Sequence, residues 1–389
     1  MNDIINIDKK YVASTYNRFP IEIISGKGSI ARDSDGKEYI DMGSGIGVTS
    51  FGISDEIWKD AVISQLNKVQ HMSNLYYTEP CAKLAEELCI RSGMKKIFFS
   101  NSGAEANECA IKAARKYSSD KYDNTRNIIV TLKNSFHGRT LTTLAATGQD
   151  CFHKLYTPLT PGFISIDAEN TDEIDTLKKR NDIAAIMIEC IQGEGGVNTL
   201  SHEYIKKIEQ YAYDYDVILI VDEVQTGNGR CGALYSYMNY GITPDIVSTA
   251  KGLGGGLPLG ATLLGDKVKN IFSYGDNGST FGGNPVSCAG ALSLIKRIDE
   301  KLLKDVNEKG KYIKDEFSKS NCVESVSGMG LMIGIKPKGD AKKIVGKCLE
   351  NGILCLTAKD KIRLLPALNI DFDILKKAVN IIIKCIEEE

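Results

Sequence analysis

Five short apolar runs separated by helix-like stretches constrain this chain more than any other feature. KKIFFS at 95–100, NIIVTLKN at 127–134, AAIMIE, VILIVDEV and DIVSTA at 245–250 are rich in Ile and Val and lack strict apolar–polar alternation. A strand with one face in water alternates. A strand covered on both faces need not, so such runs suit a parallel sheet with helices packed on each side. The stretches between them read as helices, clearest over residues 104–117. The alternation from about residue 55 to about residue 300 therefore predicts an α/β domain with a mostly parallel central sheet.

The two ends read differently. Residues 1–50 look like turns and short strands, because IEIISGKGSIARDSDGKEYIDM mixes short apolar groups with Gly-Lys-Gly and Asp-Gly turns. After a helix beginning at Pro285, GMGLMIGI reads as one strand, residues 341–350 as a helix, GILCLTA and KIRLLPAL as strands, and the last residues as a helix. The expected division is a 56–300 α/β body, with residues 1–55 and 301–389 together forming a smaller α+β lobe.

Charge and cysteine usage narrow the function classes. The 48 basic and 50 acidic residues are interspersed and sum to −2, which lacks the basic footprint of a nucleic-acid binder. No apolar run approaches the ~20 residues needed to cross a bilayer. MNDIINIDKK has no basic stretch followed by an apolar one, so a cytoplasmic chain is expected. The 11 cysteines show no CxxC spacing and the 4 histidines no ligand spacing, which predicts buried free thiols and no metal.

Several residues stand where chemistry could occur. Lys251 directly follows an apolar strand, at the sheet edge where α/β crevices open, and glycines follow it. Partial burial would draw its amine toward the neutral form that imine chemistry needs. Alone, it reads more readily as a surface lysine before a glycine-rich turn. It is not a phosphate-loop lysine, which follows its glycines and precedes Ser or Thr. Asp222 ends VILIVD, where a carboxylate is costly unless something cationic, such as a protonated pyridine, meets it; a structural Arg or backbone donors would also serve. Glu223 should face the opposite way, Val224 the Asp222 side, and Gln225 could donate to a ring oxygen.

IFFSNSGAEANE is strand, small-residue turn, then helix, so Ser102, Gly103 and Ala104 could hold an anion at a helix N-terminus, or simply cap it. Ser279 and Thr280 form a second hydroxyl pair. In SFHGRT, Phe136 could stack on a flat ring and Arg139 could grip a carboxylate, while His137 suits a structural hydrogen bond. A competing pattern exists: Gly227, Gly229 and Gly232 spell GxGxxG after a strand, the outline of an NAD-dehydrogenase fingerprint.

The motifs SNSGAEANE, FHGRT, IECIQGEGG, VDEVQTGNGR, TAKGLGGGLPLGA and GSTFGGNP, in this order from about Phe19 to the end, make the chain resemble the class III (ornithine-type) aminotransferases of pyridoxal-phosphate fold type I. The resemblance implies pyridoxal 5′-phosphate held by Lys251, its ring nitrogen on Asp222, its ring hydroxyl on Gln225, and its ring between Phe136 and Val224. Ser102, Gly103 and Ala104 would hold the phosphate, with Thr280 contributed by the neighbouring subunit of a homodimer. Tyr16, Arg139, Ser279 and Arg363 would contact substrate, and Glu194 would pair with Arg363 when an amino-bearing side chain enters. SNLYYTEP, ATGQ and FHKLYTPLTPGF are most similar to the branch that transfers the distal amine of N2-acetylornithine to 2-oxoglutarate. Relatives acting on ornithine or 4-aminobutyrate share every cofactor motif. FGISDE at 51–56, Cys190 and Asn277 depart from the family pattern without removing a cofactor residue.

Overall fold

The computed structural model describes residues 3–389; the first two residues of the amino-terminal stretch read above lie outside the described residues. At its centre is a sheet of seven strands in the order Lys96–Ser100, Gly260–Leu264, Ile246–Thr249, Ile218–Asp222, Ile183–Ile188, Ile128–Leu132, Phe163–Ile166. The last five run parallel to one another, and Gly260–Leu264 runs antiparallel to both of its partners. Along Ile218–Asp222 every residue is buried. Ile218 and Ile220 pack into one apolar cluster with the Gly103–Tyr122 helix, whereas Leu219 and Val221 enter another with the His202–Asp214 helix. Both faces are thus covered, which is the physical reason the run does not alternate.

The two ends meet in a third apolar cluster. Ile40 and Met42 pack there with Phe317, Ile333, Ile353, Leu364 and Ile382. Ile353–Leu354 pairs in parallel with Glu38–Asp41, adding a carboxy-terminal strand to the amino-terminal hairpins. A separate antiparallel sheet follows, in the order Val323–Met329, Met332–Pro337, Lys361–Leu364, Leu356–Ala358.

Four features differ from the sequence reading. Residues 1–50 are not all turns and strands: Asp3–Tyr11 is a helix, with Asp3 in its first turn and Lys9 and Lys10 in its last, charges that match the helix dipole. GMGLMIGI is a hairpin, not one strand, and turns at Gly330 with φ 52. A Cβ at Gly330 would meet the Arg230 carbonyl oxygen at 2.6 Å, so only glycine makes this turn against that backbone. GILCLTA divides into Ile353–Leu354 and Leu356–Ala358, which serve different sheets. Phe163–Ile166 and Gly260–Leu264 are strands that the sequence reading overlooked, being short and flanked by Pro and Gly.

Phe317 is fully buried in the cluster that joins the two ends. Phe317→Ala should lower unfolding free energy by about 3–5 kcal/mol, measured as a fall in the urea midpoint; an unchanged midpoint would show that this cluster does not hold the ends together.

Candidate active site

The site grows from the carboxyl ends of two neighbouring strands. Side chains alternate along a strand, so Asp222 lies on the Ile218–Ile220 side, toward the Gly103–Tyr122 helix, and Glu223 on the other. Asn107 of that helix donates to Asp222 Oδ2 at 2.7 Å, His137 Nδ1 donates to the same oxygen at 2.8 Å, and the Val224 amide donates to Oδ1 at 3.0 Å. Glu223 is held on its own side by Thr226, Ser236 and the Tyr237 amide. Lys251 follows the adjacent strand at φ 45, a left-handed conformation costing a non-glycine residue of order 1 kcal/mol. Asn228 braces that turn by donating to Thr249 Oγ1 at 2.9 Å and the Ala250 carbonyl at 3.2 Å. Burial lowers the Lys251 amine below its ordinary value; Glu194 opposes this shift and Arg363 adds to it.

The Gly103–Tyr122 helix points its amino end into the same cavity. Ser102 is its cap and accepts from the Glu105 amide at 3.2 Å. The Gly103 and Ala104 amides belong to the first turn, whose N–H groups have no acceptor within a helix. A Cβ on Gly103 would come within 2.6 Å of Val224 Cγ1, so the helix end approaches this closely only with glycine.

A charged cluster closes the other side. Arg363 Nη1 donates to Glu194 Oε1 at 2.5 Å and to Gln225 Oε1 at 3.1 Å, while Gln225 Nε2 donates to Glu194 Oε1 at 3.1 Å. Burial pushes the Glu194 carboxyl up, but Arg363, with Lys251 and Gln225, brings it below the usual carboxylate value. Glu189 accepts from the Phe136 amide at 2.9 Å and from the Gly193 amide at 3.4 Å; burial pushes its carboxyl up to about 7, with His137 opposing and Asp222 adding to the shift.

Of the residues singled out from sequence, Ser102, Gly103, Ala104, Phe136, Arg139, Glu194, Asp222, Val224, Gln225 and Lys251 line one cavity of about 470 Å³. Arg363 is buried beside it, joined through Glu194 and Gln225. Tyr16 and Thr280 are exposed and, with Ser279, are not among its lining residues. Ser279 Oγ instead accepts from Asn101 at 3.2 Å and from the Gly282 amide at 2.9 Å. The sequence reading missed Asn107, Glu189 and Asn228. Asn107 stands one helical turn beyond Gly103 on the same helix face, a spacing that could have found it; the other two carried no comparable signal.

Residues 11–386 match the Aminotransferase class-III family. The chain belongs to the class-III aminotransferases. An acetylornithine aminotransferase of Haemophilus ducreyi is 47% identical over 100% of this chain and 99% of its own length. One from Methanocaldococcus jannaschii is 42% identical over 97% of this chain and 96% of its own. Among solved structures, an ornithine aminotransferase of Toxoplasma gondii has a TM-score of 0.94 at 29% identity, covering 99% of this chain and 94% of that one. An N-acetylornithine aminotransferase of Stenotrophomonas maltophilia has a TM-score of 0.85 at 31% identity, covering 99% and 98%. These relatives leave no role for the GxGxxG pattern at Gly227, Gly229 and Gly232 as a nicotinamide fingerprint.

Class-III aminotransferases use pyridoxal 5′-phosphate, and the residues present fit it. The cavity holds a lysine amine shifted toward its neutral form, a buried carboxylate fixed by Asn107, His137 and the Val224 amide, and a helix amino end suited to a phosphate. Two buried polar atoms beside Asp222, Asn107 Oδ1 and His137 Nε2, have no partner among the described residues.

A carboxyl such as Glu189, whose folded-state value of about 7 exceeds its ordinary 4.5, holds its proton better in the fold. Its contribution to stability is full below about 4.5 and is lost as pH rises through about 7. Glu189→Gln should therefore reduce the fall in urea midpoint between pH 5 and pH 8; equal falls in both proteins would mean another group titrates.

Proposed function

We propose that this chain transaminates N2-acetylornithine with 2-oxoglutarate, giving N-acetylglutamate semialdehyde and glutamate. The observation that carries the reaction is the Lys251 amine, lowered by burial, sharing one cavity with the fixed Asp222 carboxylate. The choice of donor rests on full-length relatives named for acetylornithine and on the Glu194–Arg363 pair.

In this reading Lys251 would hold pyridoxal 5′-phosphate covalently, with Asp222 facing its ring nitrogen and Gln225 its ring hydroxyl. Phe136 and Val224 would flank the ring, and Ser102, Gly103 and Ala104 would face the phosphate. When bound, the cofactor supplies an electron sink for the charge left at the amine-bearing carbon as its proton leaves. The Lys251 amine, its proton affinity lowered by burial, would take that proton and return it when the acceptor is aminated. Asp222 stays fixed between its three donors. Arg139 grips a substrate carboxylate. Glu194 neutralises Arg363 while a donor side chain occupies the site, and releases it to bind the second carboxylate of 2-oxoglutarate.

Tyr16 and Ser279 would complete the substrate site. Thr280, exposed on its own chain, would serve the phosphate of the neighbouring copy, so the working unit is a homodimer, in the cytoplasm. Among the described residues no helix is long and apolar enough to cross a membrane. The 56–300 body holding the cofactor, with 1–55 and 301–389 as the smaller lobe, is part of the same proposal. Ornithine is the second reading, supported by the likeness to the Toxoplasma gondii structure.

Lys251→Ala should abolish turnover, and an undiminished rate would overturn the assignment. With 2-oxoglutarate as acceptor, kcat/KM for acetylornithine should exceed those for ornithine and 4-aminobutyrate by about tenfold or more, a preference of about 1.4 kcal/mol. A higher value for ornithine would select the second reading.

A further inference from the structure

Arg139 differs from Arg363, the other arginine of the site, in how it is held. Arg363 is ion-paired with Glu194, whereas no hydrogen bond or salt bridge engages Arg139 among the described residues. Its guanidinium carbon instead stands 4.8 Å from the centroid of the Phe152 ring and 5.9 Å from that of Phe136. The two rings meet edge to face, with centroids 5.8 Å apart and planes at 73°.

We propose that Phe152 is a positioning residue for carboxylate recognition, holding the Arg139 guanidinium by its flat face so that its edge is presented to the substrate. This rests on the role given to Arg139 under the proposed function. A guanidinium carries its five N–H donors in its plane and stacks through its face, so an aromatic partner orients it without using a donor. A carboxylate partner would orient it equally well, but would occupy the donors that the substrate needs.

Phe152 is itself fixed to the segment that carries Arg139. It lies in the short helix Asp150–His153, and His153 Nε2 donates to the carbonyls of Leu144 at 2.9 Å and Thr147 at 2.8 Å. Gln149, at the head of that helix, donates to the Ser135 carbonyl at 3.1 Å. The His137 amide donates to Thr147 Oγ1 at 3.0 Å. Residues 135–153 thus close on themselves as one unit, with Phe136 and Arg139 lining the cavity and Phe152 beside Arg139.

The test uses the holoenzyme with N2-acetylornithine, or whichever donor of the panel above turns over fastest. Phe152→Met keeps apolar bulk and removes the aromatic face. It should raise the donor KM about three- to tenfold, with kcat within about twofold and bound-cofactor absorbance unchanged, in line with a cation–π contact at a partly exposed site. Phe152→Tyr should restore KM. In an Arg139→Met background, which itself raises KM, Phe152→Met should add no further increase, because the contact is already gone. An unchanged KM in Phe152→Met, or the same increase with and without Arg139, would overturn the proposal. If Arg139→Met alone leaves KM unchanged, the role of Arg139 fails instead. If Phe152→Met does not fold, the tyrosine variant decides: a KM raised as much as by Arg139→Met would overturn the stacking role, and an unchanged KM supports it.

Discussion

A carboxylate buried at the end of an otherwise apolar strand is the constraint around which this site is arranged. Asp222 cannot lie where it does without donors. The three it has come from different parts of the chain: Asn107 from the helix packed on its face, His137 from the loop after the next-but-one strand, and the Val224 amide from the turn beyond it. Each donor brings with it a stretch of cavity wall. The Asn107 helix presents its amino end, the His137 segment carries Phe136 and Arg139, and the turn carries Val224 and Gln225. Satisfying one buried charge therefore organises much of the pocket.

The second organising contact joins the central sheet to the lobe built from the chain ends. Arg230, in the turn after the Asp222 strand, is buried and donates to the carbonyls of Leu331 and of Pro366, three residues beyond Arg363. Burial brings its pKa down to about 10, with the half-buried Asp41 among the opposing influences. The Leu331 amide returns a bond to the Arg230 carbonyl at 2.9 Å, and the Leu365 amide bonds the Met42 carbonyl at 2.7 Å. These bonds set the strand bearing Arg363 against the sheet bearing Asp222 and Lys251. Both bonds to these carbonyls come from Arg230 Nη1, while its Nη2 is buried without a partner among the described residues.

Much of the central sheet could be read from the residues, because burial on both faces leaves a mark in composition: Ile and Val without alternation. What escaped were the strands whose mark is weak. Gly260–Leu264 follows the glycine run after Lys251 and reads as turn, yet it pairs with both Ile246–Thr249 and Lys96–Ser100. The Asp3–Tyr11 helix was passed over although Ile4, Ile7 and Tyr11 recur at helical spacing; in the structure none of its residues is buried. In the site, the residues with a local context, such as Lys251 after a strand or Ser102 before a helix, were visible. Glu189 and Asn228 were not, because each is engaged by a group distant in sequence, the Phe136 amide for Glu189 and Thr249 with the Ala250 carbonyl for Asn228.

The sequence by itself determined which chemistry-bearing residues stand at strand ends and helix starts, since those positions follow from periodicity and turn residues along one stretch of chain. It determined that Asp222 and Glu223 must face opposite ways. Only the tertiary structure decided that Arg363, more than a hundred residues from Glu194, closes an ion pair beside Lys251, and that the Phe152 ring centre lies 4.8 Å from the Arg139 guanidinium carbon. Those contacts depend on how separate segments pack, and packing is set by the shape and burial of the whole core, which no local pattern encodes.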